Sequence, residues 1–232
     1  MLEHISFTAK PGQTTAIIGS TGAGKSSLLN LIPRFFDVSY GRITIDGIDI
    51  RNLSLHKLHE VLGYVPQKGV LFSGDIESNL KFGGADISDA QMEQAAEIAQ
   101  ATEFIESKPD RYQTPIAQGG TNVSGGQKQR LSIARAIAKN PKIYLFDDSF
   151  SALDYKTDAA LRRALSERVH DATTIIVAQR ISTILHAEQI IVLDEGKVAG
   201  IGTHEELMKT CATYQEIARS QLSEKELGGM NA

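Results

Sequence analysis

The sequence predicts an α/β fold: a mostly parallel sheet with helices on both faces, a small antiparallel β part and an inserted helical segment. Three observations predict it. Short apolar, β-branched runs (Thr14–Ile18, Ile143–Phe146, Thr173–Val177, Ile190–Leu193) recur along the chain with helical patterns between them, as βαβ units require. One of these runs leads into a glycine-rich turn that opens directly into a helix. From about residue 72 to residue 138 the strand character disappears and alanine-rich, acidic helical stretches take over. These boundaries predict an ATPase-type core from 1–71 and 139–219, a helical insertion over 72–138, and a polar, glycine-ended tail over 220–232.

Taken in order, Ile5-Ser6-Phe7 reads as a short strand, Pro11-Gly12 as a turn, and Thr14–Ile18 as a buried strand. Ser26 to Ile32 reads as a helix stopped by Pro33. Gly41–Ile50 alternates around Asp46-Gly47, a hairpin signal. Leu53 to Leu62 reads as a short amphipathic helix and Tyr64-Val65-Pro66 as a strand end. Ser88 is a natural N-cap for a helix reaching Gln100. Gly119-Gly120 and Gly125-Gly126 punctuate a loop, and a helix over Gln127–Lys139 ends before Pro141. Lys156 to Val169 reads as a helix and Glu195-Gly196 as a second hairpin turn. Tyr214 and Ile217 read as core contacts of a terminal helix.

Composition narrows the function classes. The chain has 232 residues, 41% hydrophobic and 22% charged, enough to bury a core without staples. A net charge of −4 argues against a broad basic surface for nucleic acid. Cys211 is the only cysteine, which excludes an internal disulfide and a multi-cysteine metal site, and no base pattern around it points to chemistry. No signal peptide and no apolar run long enough to span a bilayer is present, so work at a membrane needs spans from elsewhere.

The chemistry centres on Gly19-Ser20-Thr21-Gly22-Ala23-Gly24-Lys25-Ser26, a G-x-x-x-x-G-K-S loop between strand and helix, with Ser27 next in the helix. Glycines let the backbone curl so that several N–H groups face one anion, and the helix N-terminus adds its positive dipole end. Lys25 is placed to reach terminal phosphates and the Ser26 hydroxyl to hold Mg²⁺. Asp147, at the carboxyl end of the strand Ile143–Phe146, lies where such sheets bind ligands and is a second Mg²⁺ ligand, with a helix N-cap as its bland alternative. Asp148 follows; strand alternation would turn it from the metal toward an attacking water. Gln67 is able to touch both Mg²⁺ and that water, or is an ordinary loop glutamine. Ser124-Gly125-Gly126-Gln127 caps a basic helix and offers a second anion site; its bland alternative is a capped helix with a solvated Lys128, Arg130 and Arg135 face. His56 and His59 sit three apart but lack a third ligand, so a surface pair outweighs a metal site.

Together these motifs resemble the nucleotide-binding domain of an ATP-binding-cassette (ABC) transporter, a RecA-like P-loop NTPase, over nearly the whole chain. Walker A matches at Gly19–Ser26, the Q-loop at Gln67, the signature at Val123–Gln127, Walker B at Ile143–Asp147 and the D-loop at Ser151–Asp154. The stretch Pro66–Ile76 and the tail Gly202–Leu207 look like the exporter branch. The resemblance implies ATP and Mg²⁺ as cofactors and head-to-tail dimerisation, each ATP lying between one chain's Walker motifs and the other's Ser124, Gly125, Gly126 and Gln127, with Asp154 nearby. It implies a second ABC domain and a transmembrane domain as partners, no nucleic acid, and a place at the cytoplasmic face of the cell membrane.

Four departures shape the expectation. The family's catalytic glutamate is replaced by Asp148, and its switch histidine by Gln179, which donates a hydrogen bond but cannot share a proton as imidazole does. Both changes fall on the site built from this chain's own Walker motifs, whereas its signature is intact. That is the pattern of the degenerate half of a heterodimeric exporter, so the isolated chain is expected to be weakly active or inactive. A glycine-glutamate pair before the signature is replaced by Ala117-Gln118. The adenine-stacking aromatic expected well upstream of Walker A does not fall within the chain, which implies an N-terminally truncated domain with weakened ATP binding, by about 1–3 kcal/mol. The alternatives are a soluble, non-transport ABC ATPase and a fully active homodimeric exporter domain.

Overall fold

A computed structural model describes residues 1–84, 86–168 and 171–222. The fold is mixed α/β, with a mostly parallel six-stranded sheet and two small antiparallel ladders. The chain forms two compact units, Met1–Val61 with Thr173–Ala232, and Leu62–Ala172.

The first unit begins with β1 (Thr14–Gly19), which leads into α1 (Lys25–Leu31). Pro11 and Gly12 make the expected turn before it, Gly12 at φ 69 and the Gln13 N–H donating to the Lys10 carbonyl. β2 (Thr44–Ile45) and β3 (Ile48–Asp49) form the expected hairpin, with Asp46 and Gly47 both at positive φ, the signature of a type I′ turn whose twist suits paired strands. α2 (Leu55–Glu60) follows, capped by Ser54.

The second unit holds β4 (Leu62–Val65), β5 (Gly74–Asp75), α3 (Ile76–Lys81), α4 (Asp89–Ile98), α5 (Thr102–Glu106), β6 (Pro115–Ile116), α6 (Gly125–Ala138), β7 (Ile143–Asp147) and α7 (Tyr155–Arg168). β4 and β7 are parallel neighbours, and β5 pairs with β6. The chain then returns to the first unit with β8 (Thr173–Val177), α8 (Ile181–Ile184), β9 (Gln189–Asp194), β10 (Lys197–Gly202), α9 (His204–Thr210) and α10 (Ala212–Gln221). There β1 runs parallel to β8 on one side and to β9 on the other, and β10 returns antiparallel through the Glu195-Gly196 turn. Ala16, Ile17 and Ile190 through Leu193 are wholly buried, because helices cover both faces of a parallel sheet.

Several expectations change. Ile5–Phe7 is not a strand: among the described residues no ladder pairs with it, and the N-terminal segment instead sends the Glu3 N–H to the Gly196 carbonyl. α6 starts at Gly125 rather than Gln127, and α10 remains helical to Gln221. The rest of the expected tail, 223–232, and the last residue of the helix expected to reach Val169 lie outside the described residues. Arg130 and Arg135 do not form a solvated face. Arg135 donates to the Asn79 and Val70 carbonyls (both 2.9 Å) and lies over the Phe72 ring, and burial pushes its guanidinium down to about 10. Arg130 donates to the Gln100 carbonyl and lies over the Phe104 ring. Among the described residues no helix is long and apolar enough to cross a membrane.

Candidate functional site

In the first unit the phosphate loop follows from its neighbours. Gly19 pairs with Leu193 of β9, and a Cβ there would lie 2.1 Å from the Leu193 carbonyl oxygen, so no larger residue fits. Gly22 and Gly24 stand at φ 86 and 97, a region L side chains rarely adopt. Ala23 is buried and anchors the loop, while Ser20, Thr21, Ser26 and Ser27 are exposed. The Lys25 ammonium donates to the Gly19 and Ser20 carbonyls (2.9 and 2.8 Å), which lays a positive charge over the loop. The N-terminal end of α1 opens onto the same loop and brings the positive end of the helix dipole to it. Ammonium, hydroxyls and unstrained glycine amides are a donor set suited to phosphate and to nothing apolar. Gln179 lies just past β8, exposed, with its carbonyl accepting from the Gln221 amide (2.8 Å).

In the second unit Asp147 ends β7 and is buried. Burial, and after it the Asp147 charge, push the Tyr64 hydroxyl up to about 12. Asp148 leaves strand geometry altogether: its φ is 48, so the alternation expected to turn it away from Asp147 does not govern it. Its carboxylate accepts a hydrogen bond from Gln67 Nε2 at 3.0 Å, which brings two of the predicted catalytic residues together. Ser149 donates to the Val65 carbonyl and Ser151 to the Asp148 carbonyl (both 2.8 Å), fixing the turn on which Asp148 stands. Asp154 caps α7, accepting from the Thr157 amide and hydroxyl, and those bonds hold its carboxyl below the usual range.

Ser124 and Gln127 form a capping box at the start of α6: the Gln127 N–H donates to Ser124 Oγ and the Ser124 N–H to Gln127 Oε1. Gly125 is different in kind from the phosphate-loop glycines. A Cβ there would meet nothing within 4 Å, and its φ is not positive. Among the described residues neither crowding nor backbone conformation calls for glycine at 125.

Among the described residues no three His, Cys, Asp or Glu side chains gather into a metal site. His59 bonds the Pro33 carbonyl instead, and Cys211 is buried against Ala199. In the second unit the Asp147 carboxylate and the Gln67 amide oxygen are hard donors of the kind Mg²⁺ takes alongside its waters and substrate phosphates.

An ABC transporter family model matches residues 2–151, about two thirds of the chain. The chain belongs to the ABC transporter family. An uncharacterized ABC transporter ATP-binding protein of Mycobacterium tuberculosis is 48% identical over 99% of this chain and 40% of its own length. The ATP-dependent lipid A-core flippase of Saccharophagus degradans is 41% identical over 96% of this chain and 38% of its own length. A solved bacterial Atm1-family ABC exporter with ATP bound superposes with a TM-score of 0.92, at 40% identity over 96% of this chain and 39% of that one. The chain thus spans about two fifths of the length of the curated relatives it matches.

The sequence reading missed one more residue of this ABC domain. Gln129, buried in α6, accepts from the Gly69 N–H (2.7 Å) and donates to the Pro66 carbonyl (3.1 Å), bracketing Gln67. A polar residue among the apolar positions of an amphipathic helix was the available signal.

Proposed function

We propose that this chain is the ATP-binding part of an exporter and that it works as one half of an asymmetric, head-to-tail pair. The glycine loop Gly19–Gly24, with Lys25, Ser26 and Ser27, would bind ATP. Ser26, Asp147 and Gln67 would hold Mg²⁺, which when bound supplies charge neutralisation for the transferred phosphoryl group. Asp148 would act as the base toward water, Gln67 would orient it, and Gln179 would donate a hydrogen bond to the γ-phosphate. Ser124, Gly125, Gly126 and Gln127, with Asp154 beside them, would complete the site of a second ABC domain. The attached transmembrane domain at the cytoplasmic face of the membrane would convert closure of the pair into transport.

The observation that carries the paired reading is Gly125. It is a glycine at an exposed helix start with open space around it, where alanine would be a better helix former, so close approach of something outside the chain is the remaining reason for it. The asymmetric reading rests on Asp148 and Gln179. An aspartate arm is one methylene shorter than a glutamate, and here Gln67 already engages its carboxylate; a misplacement of about 1 Å costs roughly a hundredfold in rate.

ATP turnover by the wild-type chain, beside the Asp148→Glu/Gln179→His double variant, tests this. A nearly silent wild type and a gain of about tenfold or more in the double variant support the asymmetric pair. Brisk wild-type turnover overturns it in favour of a homodimeric exporter.

A further inference from the structure

Residue 179 is held from both sides, and the second hold comes from a residue with no place in the reading above. On its N-terminal side, the Ala178 N–H donates to the Ile17 carbonyl of β1 (3.0 Å). On its C-terminal side stands Gln221, in the last turn of α10. Gln221 Nε2 donates to the Gln179 carbonyl and Gln221 Oε1 accepts from the Ile181 N–H, both at 2.8 Å. The two bonds straddle Arg180 and use both faces of one amide.

The simpler account is that Gln221 caps α8. Arg180 occupies the N-cap position and makes no side-chain cap bond, so the Ile181 N–H takes its acceptor from α10 instead. Capping explains the bond to Ile181 but not the one to Gln179. That second bond orients the Gln179 carbonyl, and with the Ala178 bond on the other side it restricts both backbone dihedrals that aim the Gln179 side chain. α10 is a firm base for this: Tyr214 and Ala218 are wholly buried, and Tyr214 Oη pairs with His204 Nδ1 at 2.7 Å. The same device appears in the other unit, where the Gln129 amide brackets Gln67.

We propose that Gln221 is a positioning residue, tying the C-terminal helix to the loop that presents Gln179 to the γ-phosphate. This rests on the role given to Gln179 above. It makes α10 part of the switch, so that displacing the helix end would loosen the chain's hold on ATP while leaving its hold on ADP.

The test measures ATP and ADP dissociation constants calorimetrically on the full chain with Mg²⁺, for wild type, Gln221→Ala, Gln221→Glu and Gln179→Ala. Amide hydrogen exchange is followed on the nucleotide-free proteins. Gln221→Ala is expected to weaken ATP about fivefold, the net worth of one hydrogen bond, with ADP unchanged within about twofold. Exchange at the Ile181 amide should rise in Gln221→Ala and stay slow in Gln221→Glu, which keeps that acceptor but loses the donor to Gln179. Equal weakening of ATP and ADP in Gln221→Ala, or no weakening of either, overturns the proposal. If Gln179→Ala loses ATP selectively and Gln221→Ala does not, the brace alone fails. If Gln179→Ala shows no selective loss, the reading of Gln179 fails and the proposal falls with it, whatever the exchange data show.

Discussion

The two glycine-rich stretches of this chain answer to different causes. In the phosphate loop, glycine is dictated from within: Gly19 by a carbonyl 2.1 Å from where its Cβ would be, Gly22 and Gly24 by left-handed backbone. At the start of α6, Gly125 meets no such demand. Adjacent lysine and serine side chains make the same contrast, since Lys25 folds onto its own loop while Ser124 and Gln127 satisfy each other and leave the glycine between them open. The first region is explained by contacts within its own unit, whereas at Gly125 the described residues supply no reason for glycine and the proposed pairing does.

Substitutions in the two stretches should behave differently. Lys25→Ala should have the largest effect. It removes the ammonium over the loop, and ATP affinity of the isolated chain should fall at least about a hundredfold, read by calorimetry. Gly125→Ala should leave ATP affinity of the isolated chain unchanged, yet, if the proposed pairing holds, slow turnover of an assembled exporter by roughly ten- to a hundredfold, because a methyl group would stand where the second domain's nucleotide would approach. Weaker ATP binding by the isolated Gly125→Ala chain would mean that Gly125 serves this chain's own nucleotide site.

Stability should divide the same two glycines in opposite directions. Gly19→Ala forces a methyl group into the Leu193 backbone and should destabilise by about 1–3 kcal/mol, lowering the thermal midpoint by several degrees. Gly125→Ala should be neutral or stabilising by up to about 1 kcal/mol, since alanine is the better helix former and nothing is in its way. A thermal midpoint that falls equally for both would mean that Gly125 has an internal role after all.

The smallest effect is a pH dependence confined to the unit that holds the phosphate loop. His204 is buried against Tyr214, and desolvation lowers its pKa. The unfolded chain, with an ordinary histidine near 6.5, therefore binds the proton first. The stability this pair contributes is fully present above about pH 6.5 and is lost as pH falls toward the lower, folded value. Thermal midpoints at pH 7.5 and 5.5 should fall on acidification in the wild type and fall less in His204→Gln.

What the sequence determined by itself is what short-range physics controls. Asp46-Gly47 and Glu195-Gly196 specify their hairpins because two consecutive positive φ values suit few residues. The apolar run Thr14–Ile18, the loop after it and the capping box at Ser124 likewise carry their signals within a few residues. The capping box Thr203-Glu206 of α9 was equally legible and passed unused. The tertiary structure decided whatever depends on a distant partner. Ile5–Phe7 has strand-like residues but finds no ladder, and β5 and β6 are too short to alternate visibly. Arg130 and Arg135 read as a charged face until aromatic rings and carbonyls from residues 70–104 cover them. Asp148 read as the next residue of a strand until the turn fixed by Ser149 and Ser151 put it in left-handed backbone within reach of Gln67. Gln129 and Gln221 reach loops tens of residues away, and no local pattern records where a flexible amide will find its two bonds.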